Sequence, residues 1–470
     1  MKIEQIYTGC LAEAAYYIQS EGEVAIIDPL RETDPYIERA KNDNSKIKYI
    51  LLTHFHADFV SGHVDLAKKT GATIVFGPTA SGDFQFHEGT DGELFTVGKA
   101  EIELLHTPGH TMESSSYLLR DQNGKEQCVF SGDTLFIGDV GRPDLAIKQG
   151  TLTEEDLAIH LFKSLRHKIM KLPDDVIVYP NHGAGSACGK NMSKETYDTL
   201  GHQKEVNYAL RADMSEKEFV KEVLTGLTAP PQYFPKNVMM NKGVNTDIGE
   251  IIKRGTKKLN IEEFRGLSNE SALMLDVRTQ SEFTKAHIPG SIFIGLNGQF
   301  APWVGALIMD IEQPIVLITP IGKEEEAVIR LSRIGYDNTV GFLDGGVQAW
   351  KAAGFETDAI KTVSPHEFES AFNNENIKVL DVRKKSEFES EYIVGAENEP
   401  LDTIHSNIEN LDKNETYYIH CAGGYRSVIF ESIAKANGIH NLIDVEEGYT
   451  GISEKTKLER TEFVCPTTLT

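Results

Sequence analysis

Cysteine is scarce in this chain. Five occur in 470 residues (Cys10, Cys128, Cys188, Cys421 and Cys465), an odd number with no C-x-x-C spacing, which excludes a disulfide framework and fits a reducing cytoplasm. Positive charge is also short: 47 Lys plus Arg against 71 Asp plus Glu, for a net charge of −24. That balance excludes nucleic acid and anionic membrane as partners, so a small anionic substrate needs a local basic site. No apolar run approaches the roughly 20 residues that span a bilayer. The opening MKIEQIYTGC goes straight into strand-like alternation without a charged-then-apolar leader, so the expectation is a soluble, unprocessed protein.

At 470 residues the chain is too long for one ordinary domain, and about three are expected. Self-comparison supports this: LMLDVRTQSEF (Leu273 to Phe283) returns as KVLDVRKKSEF (Lys378 to Phe388), and the match continues from AHIPGSI to EYIVGAE. Two copies of about 100 residues are a duplicated domain and not a solenoid. Each copy alternates short apolar strands (IVLIT; TYYIH) with helical stretches (EEEAVIRLSRIG; SVIFESIAKANG), the pattern of a parallel sheet with crossover helices. Upstream, VAIID, KYILLTH, TIVFG, IELLHTPGH, CVFSGDTLF and VIVYPNH read as strands, the last few ending in His or Asp. The Pro- and Asn-rich TAPPQYFPKNVMMNKGVN (Thr228 to Asn245) reads as a linker or interdomain loop. The resulting division is 1–245, 246–358 and 359–470, all α/β.

The stretch THFHADFV lacks something too. His54, His56 and Asp58 open a metal-binding turn that normally runs T-H-x-H-x-D-H, but its last histidine is Phe59, which has no lone pair for a cation. His110 in TPGH, Asp133 in SGDTLF and His182 in YPNH follow, each at a strand exit, where a rigid scaffold carries its chemistry. The order and wording of these motifs resemble the metallo-β-lactamase-fold superfamily, over about the first 240 residues. That resemblance implies an αββα sandwich. In the two-metal hydrolases of the superfamily the missing histidine holds the second ion with groups matching Asp58 and His182, while the group matching Asp133 bridges both.

GDVGRPDLAIKQG (Gly138 to Gly150) and YPNHGAGSACGK are most similar to the persulfide dioxygenases, especially bacterial members fused to rhodanese domains. The resemblance implies one iron per chain, held by His54, His110 and Asp133, with zinc as the alternative ion. Two imidazoles and a carboxylate are also the ligand set of non-haem Fe(II) oxygenases. His56, Asp58 and His182 then orient ligands or substrate, or serve as alternative metal ligands. Arg142 in GRPD is a candidate anchor for a substrate carboxylate, or else a loop-fixing partner of Asp139 or Asp144. Cys188 and Cys128 read as buried inert thiols, and Cys10 has no assigned role.

In the second copy, YYIHCAGGYRSVIF (Tyr417 to Phe430) places a cysteine between a strand and a helix. Loop and helix N-terminal amides then point at Cys421 and favour a persulfide anion. Arg426 adds positive charge, Gly423 and Gly424 permit the tight path, and Ser427 joins them as a substrate-binding candidate. With LDVR, this loop resembles the rhodanese sulfurtransferases (C-x-x-G-x-R-S). The first copy has Thr319 and Pro320 in place of the thiol, Glu324 to Glu326 in place of the basic residue, and no cysteine anywhere between Cys188 and Cys421. It reads as an inactive spacer whose acidic loop repels an anionic persulfide.

The reading is a persulfide dioxygenase and sulfurtransferase. Its expected partners are a low-molecular-weight thiol persulfide, O₂ and sulfite or thiosulfate, and a homo-oligomer is compatible with it. The alternatives are a glyoxalase II-like zinc thioester hydrolase and a non-enzymatic persulfide carrier or sensor.

Overall fold

The computed structural model describes residues 1–147, 151–227 and 229–464. Lys148 to Gly150 at the end of the GRPD motif, Thr228 at the start of the expected linker, and Cys465 lie outside the described residues. The chain divides into two compact units. Met1–Ile248 with Ser332–Gly335 form the first, and Gly249–Leu331 with Tyr336–Thr470 the second. Among the described residues no helix is long and apolar enough to cross a membrane.

The first unit is a sandwich of two six-stranded sheets. One sheet runs in chain order from Lys2–Thr8 to His87–Glu88; the other runs from Asp198–Thr199 back to Leu94–Val97. Strand alternation explains the layers. Tyr16 and Ile18 of the strand Glu13–Ser20 pack inward against Ile102, Tyr117 and Phe130 of the opposite sheet, while Tyr17 of the same strand packs outward with Tyr36 and Leu66. The helices Glu154–His167 and Glu216–Leu224 cover the second sheet through Leu161, Leu165 and Phe219. The expected strands are present, and Glu23–Ile27, Lys46–Leu51, Ala100–His106, Glu126–Gly132 and Ile177–Pro180 deliver their following loops to one edge of the sandwich.

The expected linker is not unstructured. Phe234–Lys242 is a helix, started by a proline in its first turn, with Asn237 and Asn241 buried. The Asn241 side-chain amide donates to the carbonyls of His56 and Phe59 (2.8 and 2.7 Å) and accepts from the amide of Ser61 (2.8 Å). A segment too polar to look like core is polar because it satisfies the buried backbone of the metal-binding turn.

The second unit contains two five-stranded sheets of identical spatial order and wholly parallel pairing. In the first copy the sheet centres on Ile315–Ile318, in the second on Tyr417–His420. The repeated LDVR is a scaffold in both. Arg278 grips Asp276 and the carbonyl of Ala286, while Arg383 grips Asp381 and the carbonyl of Glu391. Each buried guanidinium thus closes the strand exit onto the following helix.

Candidate functional site

The metal-loop histidines are set by what their Nδ1 atoms meet. His110 Nδ1 lies 2.9 Å from the carbonyl of Arg142, and His182 Nδ1 lies 3.2 Å from that of Ala12. A carbonyl only accepts, so both Nδ1 atoms carry the proton and both Nε2 lone pairs remain. Thr53 Oγ1 donates to Asp28 (2.8 Å) and therefore accepts from His54 Nδ1 (3.0 Å), with the same result for His54. Burial, then the neighbouring His56, His110 and His182, holds His54 well below the usual imidazole range and keeps it neutral.

Asp133 Oδ2 stands 3.9 Å from His54 Nε2 and 3.5 Å from His110 Nε2, all three residues being buried. Neither Asp133 oxygen has a hydrogen-bond partner among the described residues. Two lone pairs and a carboxylate facing one another without a donor are an unfavourable arrangement that a cation resolves. The donor set therefore fits a metal. Gly141 makes the approach possible, since a Cβ there would lie 2.0 Å from the Asp133 carbonyl oxygen and 3.2 Å from His110 Nδ1.

His56, Asp58 and His182 form a second group whose ligand atoms converge, and Asp133, His182 and Cys188 form a third. His182 Nε2 is 3.4 Å from Asp58 Oδ2 and 3.5 Å from Asp133 Oδ1. His56 Nε2 is engaged by Asp28 Oδ1 at 3.0 Å, which leaves its Nδ1 as the available donor. Burial pulls the His56 pKa down, but Asp28, Asp58 and Asp133 together leave it raised. Phe59 is fully buried with its ring 4.3 Å from that of His56. The position that would carry another donor is filled by an apolar ring.

Two neighbours of the site, Asp28 and Glu13, escaped the sequence analysis. Asp28, at a positive φ of 47° just past the strand Glu23–Ile27, accepts from the Thr53 amide (2.9 Å), the Thr53 hydroxyl (2.8 Å) and the Asn181 amide (2.6 Å). Its signal was the aspartate ending VAIID. Glu13 is fully buried with neither carboxylate oxygen hydrogen-bonded among the described residues. Burial, then the charges of Asp58 and Asp28, holds its carboxyl well above the ordinary range, so it keeps its proton. Cys188 is buried as expected, and burial, then Asp58 and Asp133, pushes its thiol up. Its ligand atom also lies within 4.8 Å of ligand atoms of Asp133 and His182.

Arg142 shows the loop-fixing geometry. Its Nε and Nη2 donate to Asp144 at 2.7 Å each, Nη1 donates to the Ala187 carbonyl at 3.2 Å, and the side chain is buried. A substrate carboxylate would have to displace Asp144. Arg142 does contribute through its backbone, whose carbonyl orients His110.

In the second unit, Cys421 follows the strand Tyr417–His420 and precedes the helix Tyr425–Ala436. Its Sγ accepts from the Gly424 amide at 3.1 Å, with Gly424 at φ 88°, a conformation that glycine adopts without strain. Arg426 is held by Glu387 in a bidentate pair (2.6 and 2.8 Å). Beside Cys421 a cavity of about 390 Å³ is walled by Lys384, Glu387, Gly423 and Arg426. Ser427 corrects an expectation: it is wholly buried on the inner face of the helix and does not line this cavity. In the first copy, Glu324 binds the Gly322 amide (3.1 Å) and Glu326 pairs with Lys323 (2.8 Å), so its acidic loop is partly neutralised.

Near Ser427, burial pushes the Asp444 carboxyl up to about 7 from an ordinary 3.8. Because the folded pKa exceeds the unfolded one, the native state holds the extra proton. Its stability contribution is full below about pH 4 and is lost as pH rises toward 7. Asp444→Asn should remove that loss. We expect a gain of at most about 4 kcal/mol at pH 8 and little change at pH 4, read from denaturant unfolding at the two pH values.

The metallo-β-lactamase superfamily profile matches residues 8–182, and the rhodanese-like domain profile matches residues 260–353 and 364–455. Two curated relatives are probable hydroxyacylglutathione hydrolases of Schizosaccharomyces pombe. One is 35% identical over 163 residues, covering 34% of this chain and 58% of that protein. The other is 31% identical over 203 residues, covering 42% and 74%. The chain thus spans little more than half the length of the first. A crystal structure of a metallo-beta-lactamase from Staphylococcus aureus superposes with a TM-score of 0.64 at 31% identity, covering 73% of this chain and 98% of that one.

Proposed function

Because the chain belongs to the metallo-β-lactamase superfamily through its first unit and carries two rhodanese-like domains in its second, we propose that it is a non-haem iron persulfide dioxygenase coupled to a sulfurtransferase. The reaction is RSSH + O₂ + H₂O → RSH + SO₃²⁻ + 2H⁺. The observation that carries this reading is the buried Phe59 ring against His56. A phenyl ring offers the second group no donor at that position, which supports His54, His110 and Asp133 as the set that holds one iron.

Ferrous iron in that set supplies open coordination positions and one-electron chemistry toward dioxygen. The chain's own residues do the rest. Thr53 and the Arg142 carbonyl fix the proton on Nδ1 of His54 and His110, Asp28 and Asn241 hold the loop that carries His54 to Phe59, and Glu13 keeps a proton beside Asp58. In the second unit the Cys421 thiolate attacks a sulfane sulfur: Cys–S⁻ + RS–SH → Cys–S–SH + RS⁻. One S–S bond forms as another breaks, and the thiolate leaves. Sulfite then takes the outer sulfur as thiosulfate and restores the thiol.

The second reading is zinc-dependent thioester hydrolysis, favoured by the converging His56, Asp58 and His182 and by relatives named as hydroxyacylglutathione hydrolases. The test is anaerobic purification with metal analysis, followed by oxygen-electrode assays on a persulfide panel headed by glutathione persulfide. We expect one iron per chain and persulfide-dependent oxygen uptake. Two zinc ions per chain with thioester hydrolysis and no oxygen uptake overturns the proposal, and turnover of either kind excludes a mere carrier or sensor.

A further inference from the structure

The copy without a cysteine forms part of the cavity beside Cys421. Gln299 and Trp303 of the first copy complete the wall begun by Lys384 and Arg426. Trp303 lies on the apolar helix Phe300–Leu307 and keeps 8% of its surface exposed. The active-site loop itself is anchored in the first copy. The Tyr425 hydroxyl donates to the Gly295 carbonyl at 2.7 Å, and the Tyr425 ring lies so close to Gly298 that a Cβ there would approach it to 2.2 Å. Arg330 of the first copy in turn holds the Leu296 carbonyl at 2.7 Å, bracing the loop that receives Tyr425.

We infer that the first copy is the specificity wall of the Cys421 site, a reading that rests on sulfur transfer at Cys421. The cavity of about 390 Å³ is much larger than thiosulfate needs. Its lining is chemically mixed, including the indole of Trp303 and the ammonium of Lys384. The fitting ligand is a small organic persulfide whose carbon body lies on Trp303 and whose carboxylate meets Lys384. Tyr425, touching both copies, is a positioning residue that holds the loop amides on the sulfur.

The test uses the full chain, with glutathione persulfide and thiosulfate as donors and cyanide as acceptor. Trp303→Ala should raise the KM for glutathione persulfide about tenfold and that for thiosulfate about twofold, with kcat changed less than about twofold. Gln299→Ala, at an exposed position, should shift KM in the same sense and guards against misfolding at Trp303. Gly298→Ala should instead lower kcat for both donors by displacing the Tyr425 ring. Unchanged KM in both Trp303→Ala and Gln299→Ala, with wild-type transfer intact, overturns the inference. Absence of Cys421-dependent transfer in the wild type, from either donor, overturns the underlying reading instead.

Discussion

Asp133→Ala is expected to abolish both iron retention and persulfide-dependent oxygen uptake, while thiosulfate-to-cyanide transfer at Cys421 continues. Loss of an outer partner of a metal ligand typically costs about 10–100-fold in affinity or activity, and Asp133 is itself a member of the proposed set, so a larger loss is expected. The stability readout separates this from simple misfolding. Both Asp133 oxygens are buried without a hydrogen-bond partner among the described residues, an arrangement that is unfavourable without a cation and that alanine relieves. Metal-free Asp133→Ala should therefore unfold no earlier than the metal-free wild type. The wild type alone should gain stability when iron is restored, because an ion that binds only the folded state stabilises it by mass action. Iron content by elemental analysis, oxygen uptake and thermal unfolding with and without Fe(II) check the three parts. Full iron retention in the variant would remove Asp133 from the ligand set.

Cys421→Ser is expected to remove sulfur transfer and leave oxygen uptake within about twofold of the wild type, because the proposed dioxygenation uses only the first unit's residues. Serine keeps the small side chain that accepts from the Gly424 amide, so the loop should hold its path. Its hydroxyl stays protonated at neutral pH and forms no persulfide, which removes the attacking atom and the carrier together. The products should shift from thiosulfate toward free sulfite. Ion chromatography beside an oxygen electrode reads both quantities. An unchanged thiosulfate yield rules out Cys421 as the carrier, and loss of both activities shows obligatory hand-over of sulfur between the two reactions.

The residues of both candidate sites were legible in the sequence where chemistry coincides with a strand exit. His54, Asp58, His110, Asp133 and His182 follow apolar runs, and Cys421 lies between a strand and a helix, so local pattern alone places them on loops of a rigid scaffold. The duplication and the α/β character were equally legible, because repeats and two-residue alternation are one-dimensional signals. Tertiary structure alone decided what surrounds those residues. Asn241 looked like linker and proved to hold the turn of His56 and Phe59, 185 and 182 residues away in the chain. Asp28 reaches the metal loop from another strand, Cys188 lies close to Asp133 and His182, Arg142 is spent on Asp144, and Trp303 completes a cavity beside Cys421 of the other copy. The physical reason is common to all of these. Which groups a chain can contribute is written locally, but which partner satisfies each buried donor or acceptor depends on contacts between segments that only the folded packing brings together.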